Sequence, residues 1–156
     1  MIKIVFLGTS DAIPSEKRNH TSIFLNYKDE NILIDCGEGT QRQIRIAKLN
    51  PCSLTKILIT HWHGAHDLGI PGLLETMSLN GYNKKLDIYG PKGTKRFIEE
   101  IFKLFVYSEK IKVDIHEVDG KFFENEDFYL ESEKMEHGTL CNAYSFVLKK
   151  KVRIDK

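Results

Sequence analysis

Lys56-Ile57-Leu58-Ile59-Thr60 is a compact, β-branched run that reads as a buried strand, and it ends on three histidines within six residues, His61-Trp62-His63-Gly64-Ala65-His66. No other feature constrains the chain as much. In an extended segment residues i and i+2 project to the same side, so His61 and His63 can both face one ion. Gly64 lets the backbone turn and bring His66 in from another direction. Imidazole is the commonest side-chain ligand of zinc and similar borderline metals. A single histidine is ordinarily a surface or satisfied core group. Three at H-x-H-x-x-H spacing, where a strand gives way to a helix, point to a metal site.

The rest of the chain supplies short strands and a few helices around that junction. Strands are expected over residues 2–7, stopped by Gly8, over 21–27, where Ile23, Leu25 and Tyr27 share a side, and over 31–35, with 28–31 as the hairpin turn. Further strands are expected at 86–89, 111–117, 122–135 and 142–149. Helices are expected over 40–49, capped by Thr40, from about Pro71 to Gly81, and over 95–107, where Phe97, Ile98, Ile101, Phe102 and Phe105 form one stripe. This order gives an α/β (α+β) chain built on a mixed sheet. Residues 8–14 are turn-rich but hold neither glycine-rich nucleotide-binding pattern.

Composition narrows the class. With 41% hydrophobic, 10% aromatic and 29% charged residues, collagen-like, mucin-like and largely disordered chains are excluded. No apolar run reaches membrane-spanning length, and the N-terminus lacks the pattern of a signal peptide. Three cysteines without a C-x-x-C pair fit a reducing, cytoplasmic setting. Lys+Arg 23 against Asp+Glu 22 leaves a formal charge of +1, so the total announces no nucleic-acid-binding face. The basic cluster Lys149-Lys150-Lys151-Val152-Arg153 reads as a solvated strand end.

The histidine segment resembles the H-x-H-x-D-H signature of the metallo-β-lactamase superfamily. Within it the chain resembles the ribonuclease Z family, endonucleases that mature transfer RNA 3′ ends. The narrower likeness rests on Gly8-Thr9-Ser10 through Pro14 with Lys17-Arg18-Asn19, and on Asp35-Cys36-Gly37-Glu38-Gly39-Thr40-Gln41. It continues through residues 60–66 into Leu68-Gly69-Ile70-Pro71-Gly72-Leu73-Leu74, and ends at Ile88-Tyr89-Gly90-Pro91. The resemblance implies two zinc ions, with manganese as the alternative. It assigns His61, His63 and His137 (in Glu136-His137-Gly138-Thr139) to the first ion and His66 to the second. It gives Asp35 a supporting role behind the ligands and puts Lys17, Arg18 and Asn19 in a loop near the active site, as candidate phosphate contacts. His20 and His116 have no counterpart and are expected to be structural or exposed.

Two departures accompany the resemblance. Ala65 stands where the family has an aspartate that binds the second ion and handles a proton of the attacking water. Alanine can do neither, so the chain is expected to be catalytically dead, by a deliberate replacement, which the intact neighbours favour, or by natural decay. The family's fold is a four-layer αββα sandwich of two similar halves, and residues 1–156 are expected to supply only the N-terminal half. The second half and the arm that grips transfer RNA have no counterpart. A second polypeptide or a second copy, as in a homodimer, is then expected over the uncovered sheet face. The implied activity is cleavage of 3′-extended precursor transfer RNA after the discriminator nucleotide, leaving a 3′-hydroxyl. The alternatives are hydrolysis of small phosphodiesters or sulfate esters, and a non-catalytic metal- or RNA-binding remnant.

Overall fold

The computed structural model describes residues 1–106 and 111–150. Its centre is a six-stranded mixed sheet whose strands lie in chain order: β1 (Ile2–Gly8), β2 (Ser22–Tyr27), β3 (Glu30–Ile34), β4 (Lys56–Leu58), β5 (Lys85–Gly90) and β6 (Lys112–Glu117). β1 to β3 run antiparallel, joined between β2 and β3 by a tight turn at Lys28, φ 53°. From β3 to β6 the neighbours are parallel. The parallel strands therefore end on one edge, which is where loops that carry chemistry gather in α/β sheets.

The two faces of this sheet are covered differently. Alternate residues Leu33, Ile57, Leu86 and Ile88 turn to one face and pack against helices α1 (Thr40–Ile46), α3 (Ile70–Leu79) and α4 (Thr94–Leu104), through Ile44, Leu73, Leu74, Met77 and Ile98. Their neighbours Ile32, Leu58 and Tyr89 turn to the other face. There they meet Phe128 and Leu130 of a second, three-stranded antiparallel sheet: β7 (Gly120–Glu124), β8 (Phe128–Glu136) and β9 (Leu140–Leu148). The layers run helix, sheet, sheet. No helix among the described residues is long and apolar enough to cross a membrane.

Several boundaries differ from the sequence-based expectation, each for a local reason. The span 122–135 is two strands, because the Asn125 side chain accepts from the backbone N–H of Asp127 and Phe128, both at 2.9 Å, and turns the chain. α1 is capped at Gly39 (φ 75°), while Thr40 lies inside it and donates its hydroxyl to the Gly37 carbonyl at 2.7 Å. The helix stops at Ile46, short of 49, where Lys48 takes a left-handed φ of 56°. α4 ends at Leu104; Phe105 leaves the buried stripe in an extended conformation, and Tyr107 lies outside the described residues. A one-turn helix α2 (Gly64–Asp67), not anticipated, separates β4 from α3.

Two bonds dock the second sheet onto the end of β4. Asn142 N–H donates to the Thr60 carbonyl at 2.8 Å, and the Tyr144 hydroxyl donates to the Ile59 carbonyl at 2.7 Å. They bring the β8–β9 hairpin tip, with Gly138 at φ 68°, over the histidine-bearing strand end.

Candidate metal centre

His61 and His63 leave the end of β4 two residues apart, and His137 comes from the β8–β9 tip. The ligand-capable atoms of these three side chains lie within 4.8 Å of one another. The His61 ring centroid is 4.7 Å from that of His63, 4.6 Å from that of His137 and 4.1 Å from that of His66. His61 is buried, and His63 and His137 are exposed, so the cluster opens to solvent on one side. The two strand ends and α2 thus bring together the four histidines that the sequence singled out.

His66 reaches the cluster through backbone packing. α2 is tied to the loop after β3 by Cys36 N–H donating to the His66 carbonyl at 2.7 Å and Gly69 N–H donating to the Cys36 carbonyl at 2.8 Å. Backbone meets backbone so closely that a Cβ on Gly37 would lie 2.4 Å from the Ala65 carbonyl oxygen, and one on Gly69 2.1 Å from that of Gly37. Only glycine fits at these two positions.

Asp35 organises the cluster from behind. Its backbone takes φ 56°, a left-handed conformation that aspartate tolerates better than most residues, and it is buried. One carboxylate oxygen accepts Thr60 N–H at 2.8 Å; the other lies 2.7 Å from His66 Nδ1. The Thr60 hydroxyl is 3.0 and 2.9 Å from the two carboxylate oxygens and 3.0 Å from His61 Nδ1. A carboxylate only accepts, so the single Thr60 proton goes to Asp35 and the hydroxyl accepts from His61 Nδ1–H. His66 likewise gives its Nδ1–H to Asp35. Both rings then keep a lone pair on Nε2, the tautomer a metal needs.

The electrostatics agree. Burial, reinforced by the neighbouring His66, pushes the His61 pKa down to about 4, so the ring is neutral at physiological pH. The hydrogen bond that His66 donates to Asp35 raises the pKa of His66. A cluster of imidazoles, one deeply buried and uncharged, with a carboxylate fixing two tautomers, fits a divalent cation.

Ala65 offers the cluster no oxygen. Asp67, two residues on, does not replace it: positions two apart in a helix point about 200° from each other. Asp67 instead lines an apolar cleft with Trp62, Leu68 and Pro71, where burial raises its pKa to about 6. Lys17 and Arg18 are exposed in a turn closed by Ser15 and Arg18, and no described contact joins them to the histidines. Asn19 donates its side-chain N–H to the Glu38 carbonyl at 2.7 Å, holding that loop against the one that follows Asp35. His20 is buried, 3.4 Å from the Ala12 carbonyl, and His116 is bonded to Asp87 at 2.9 Å and stacked on Tyr89. Lys149 pairs with Glu124, and the remainder of the basic cluster from Lys151 onward lies outside the described residues. Sequence reasoning missed Thr60; its place directly before His61 was the available signal.

A protein-family model described as anti-Pycsar protein Apyc1 matches residues 2–154. The chain belongs to that family. Curated relatives include ribonuclease Z of Methanothermobacter thermautotrophicus, 44% identical over 98% of this chain and 50% of its own length. Ribonuclease Z of Thermococcus kodakarensis is 42% identical over 100% of this chain and 49% of its own. The chain thus spans about half the length of the curated relatives it matches. Human tRNase Z, short form, superposes with a TM-score of 0.86 at 33% identity, covering 96% of this chain and 64% of that one. The metallo-β-lactamase fold protein YhfI of Bacillus subtilis gives a TM-score of 0.72 at 20% identity over 94% of this chain and 58% of its own, a likeness of fold. The family member described here therefore has the metallo-β-lactamase fold, and that fold implies a metal cofactor.

Proposed function

We propose that this chain is the metal-binding N-terminal half of a phosphodiesterase of the ribonuclease Z type, which acts on 3′-extended precursor transfer RNA. The convergence of His61, His63, His66 and His137 in front of Asp35 carries the reading, and the names of the relatives supply the substrate. His61, His63 and His137 would hold one zinc ion and His66 would contribute to a second, with manganese as the substitute. Bound divalent ions of this kind polarise a phosphoryl oxygen and make water a nucleophile at neutral pH. The chain's own residues contribute positioning: Asp35 and Thr60 fix the ring tautomers, and the β8–β9 tip closes the site from above. No carboxylate stands at position 65 to take the proton from water, and the chain as it stands is inactive for that reason. Lys17 and Arg18, exposed in the loop that Asn19 pins to the Glu38 carbonyl, are the candidate phosphate contacts.

The remaining half of the domain, or a second copy as in a homodimer, packs over the row of exposed apolar side chains on β1, in a cytoplasmic protein. The test joins the chain to the second half its relatives carry and restores Ala65→Asp. Cleavage of a 3′-extended precursor after the discriminator nucleotide with zinc or manganese is the expected result, and none with either metal would sink the reading. A smaller substrate is the second reading, since the matching family is described by an anti-Pycsar protein, a name other than ribonuclease. Cleavage of a chromogenic phosphodiester but not of the precursor by the same restored protein would select it.

A further inference from the structure

Beside the histidines lies a cleft of 690 Å³ whose floor is aromatic and whose rim is cationic. Trp62 sits between His61 and His63 in the chain, and its ring turns away from them toward α4. There its Nε1–H donates to the Thr94 hydroxyl at 2.9 Å, and that hydroxyl donates to the Pro91 carbonyl at 2.7 Å, so the plane of the indole is fixed. Phe97, one turn into α4, lies 4.8 Å from it at 34°, and the Arg96 guanidinium sits 4.7 Å over the Phe97 ring. Both aromatic rings are only half buried. Lys92 and Arg96 are exposed on the near rim, and Thr139 and Leu140 form the far wall. The acid lining the cleft, Glu117, is committed elsewhere: it accepts from the backbone N–H groups of Gly93 and Lys95 at 2.9 and 3.2 Å.

Trp62 and Thr139 are direct continuations of the two strand ends that carry the histidines. A phosphodiester held at the histidines therefore has its neighbouring sugar and base beside this cleft. Flat rings with lysine and arginine at their edge suit a nucleotide: the π-faces take the base and the cations take phosphate oxygens. We infer that the Trp62–Phe97 ledge, with Lys92 and Arg96, is a binding subsite for the nucleotide flanking the scissile phosphate. This rests on the phosphodiesterase reading for the position of the phosphate, but its recognition chemistry can be read without catalysis.

Trp62 is the chain's only tryptophan, so its fluorescence reports on the ledge alone. Adenosine 5′-monophosphate and ribose 5-phosphate are titrated against the chain, with and without zinc. Saturable quenching by the nucleotide and none by the sugar phosphate is expected. Phe97→Leu, which keeps the bulk but not the π-face, is expected to weaken nucleotide binding by roughly fivefold or more. Arg96→Gln is expected to weaken it and to flatten its salt dependence. Equal quenching by both ligands, or nucleotide quenching unchanged in both variants at unchanged melting temperature, would overturn the subsite. If Phe97→Leu fails to fold, Arg96→Gln decides alone. A base-dependent signal in a chain that takes up no zinc would instead leave the subsite standing and remove the phosphodiesterase reading.

Discussion

The two faces of the six-stranded sheet bury their side chains by different means. On the helix face, three helices and six strands close over a continuous core in which Leu33, Ile57, Leu73, Leu74, Met77, Leu86, Ile88 and Ile98 are all fully buried. On the other face, the three-stranded sheet covers β3, β4 and β5 through an aromatic cluster: Phe128 stacks on Phe146 at 4.4 Å and meets Phe123 at 5.5 Å and Tyr27 at 6.0 Å. The cover fades toward β1. Ile2, Ile4 and Phe6, the alternate residues of that strand, are 37%, 55% and 67% exposed, and Ile4 pairs with Leu25 of the sandwich cluster. One face is a finished core. The other is a core with an open flank, and the metal cluster sits at the rim where both meet.

The largest expected effects test whether the sandwich side is as much a core as the helix side. Leu74→Ala under α3 is expected to cost about 2–5 kcal/mol and Phe128→Ala about 3–5 kcal/mol in denaturant unfolding, from lost burial and the cavity left behind. Equal costs mean that both layers fold as one unit. A much smaller cost for Phe128→Ala, with an early separate transition, would mean that the second sheet unfolds on its own. That would matter to the site, since His137 arrives on this sheet.

The next effect lies at the rim. Asp35→Asn retains a residue tolerant of the left-handed backbone but cannot accept from both His66 and Thr60 as the carboxylate does. Zinc affinity, measured by competition with a chromogenic chelator, is expected to fall about 10–100-fold. Stripping zinc from the loaded parent chain is expected to lower its melting temperature, because an ion that binds only the folded state stabilises it by mass action. An unchanged affinity in Asp35→Asn would show that the tautomers are set without it.

How far these features could be read in the sequence depended on how local their causes are. The histidine segment was legible because strand alternation and the H-x-H-x-x-H spacing are both set within a few residues. His137 was legible only through a family resemblance, since its place in the cluster depends on bonds from Asn142 and Tyr144 to a strand some eighty residues earlier. The Asn125 turn was missed because a polar loop within an otherwise strand-like stretch breaks no hydrophobic period. The one-turn helix α2 was missed for a different reason. It is held by the Cys36–His66 and Gly69–Cys36 backbone bonds, which leave no local propensity signal.

A smaller effect comes from two buried hydroxyls, one on each side of the sheet. Tyr82 donates to the Leu54 carbonyl at 2.9 Å on the helix side, and Tyr144 to the Ile59 carbonyl at 2.7 Å on the sandwich side. Burial raises both pKa values, that of Tyr82 from 10.0 to about 12. The folded state therefore holds these protons longer than the unfolded one. The Tyr82 contribution is complete below about pH 10 and declines as the pH rises through 12, and that of Tyr144 is likewise lost only as the pH rises above the ordinary tyrosine range. Tyr82→Phe and Tyr144→Phe are each expected to cost roughly 0.5–1.5 kcal/mol at neutral pH and to reduce the loss of stability on alkaline titration. If Tyr144→Phe alone leaves that slope unchanged, the sandwich side is already open at high pH.

The smallest effect on folding belongs to the open flank, and its direction is what matters. Ile4 lies on β1 facing the sandwich side, with no second sheet over it, so replacing it with serine removes little buried surface. Ile4→Ser is expected to shift unfolding by no more than about 0.5 kcal/mol. Its consequence is expected in association. A row of exposed Ile2, Ile4 and Phe6 on an edge strand offers both apolar area and an unpaired backbone to another chain. Sedimentation at rising protein concentration should show the parent self-associating and Ile4→Ser doing so less. A destabilisation of several kcal/mol would mean that the flank is closed in the folded protein. An unchanged association would mean that the β1 row is not what brings copies together.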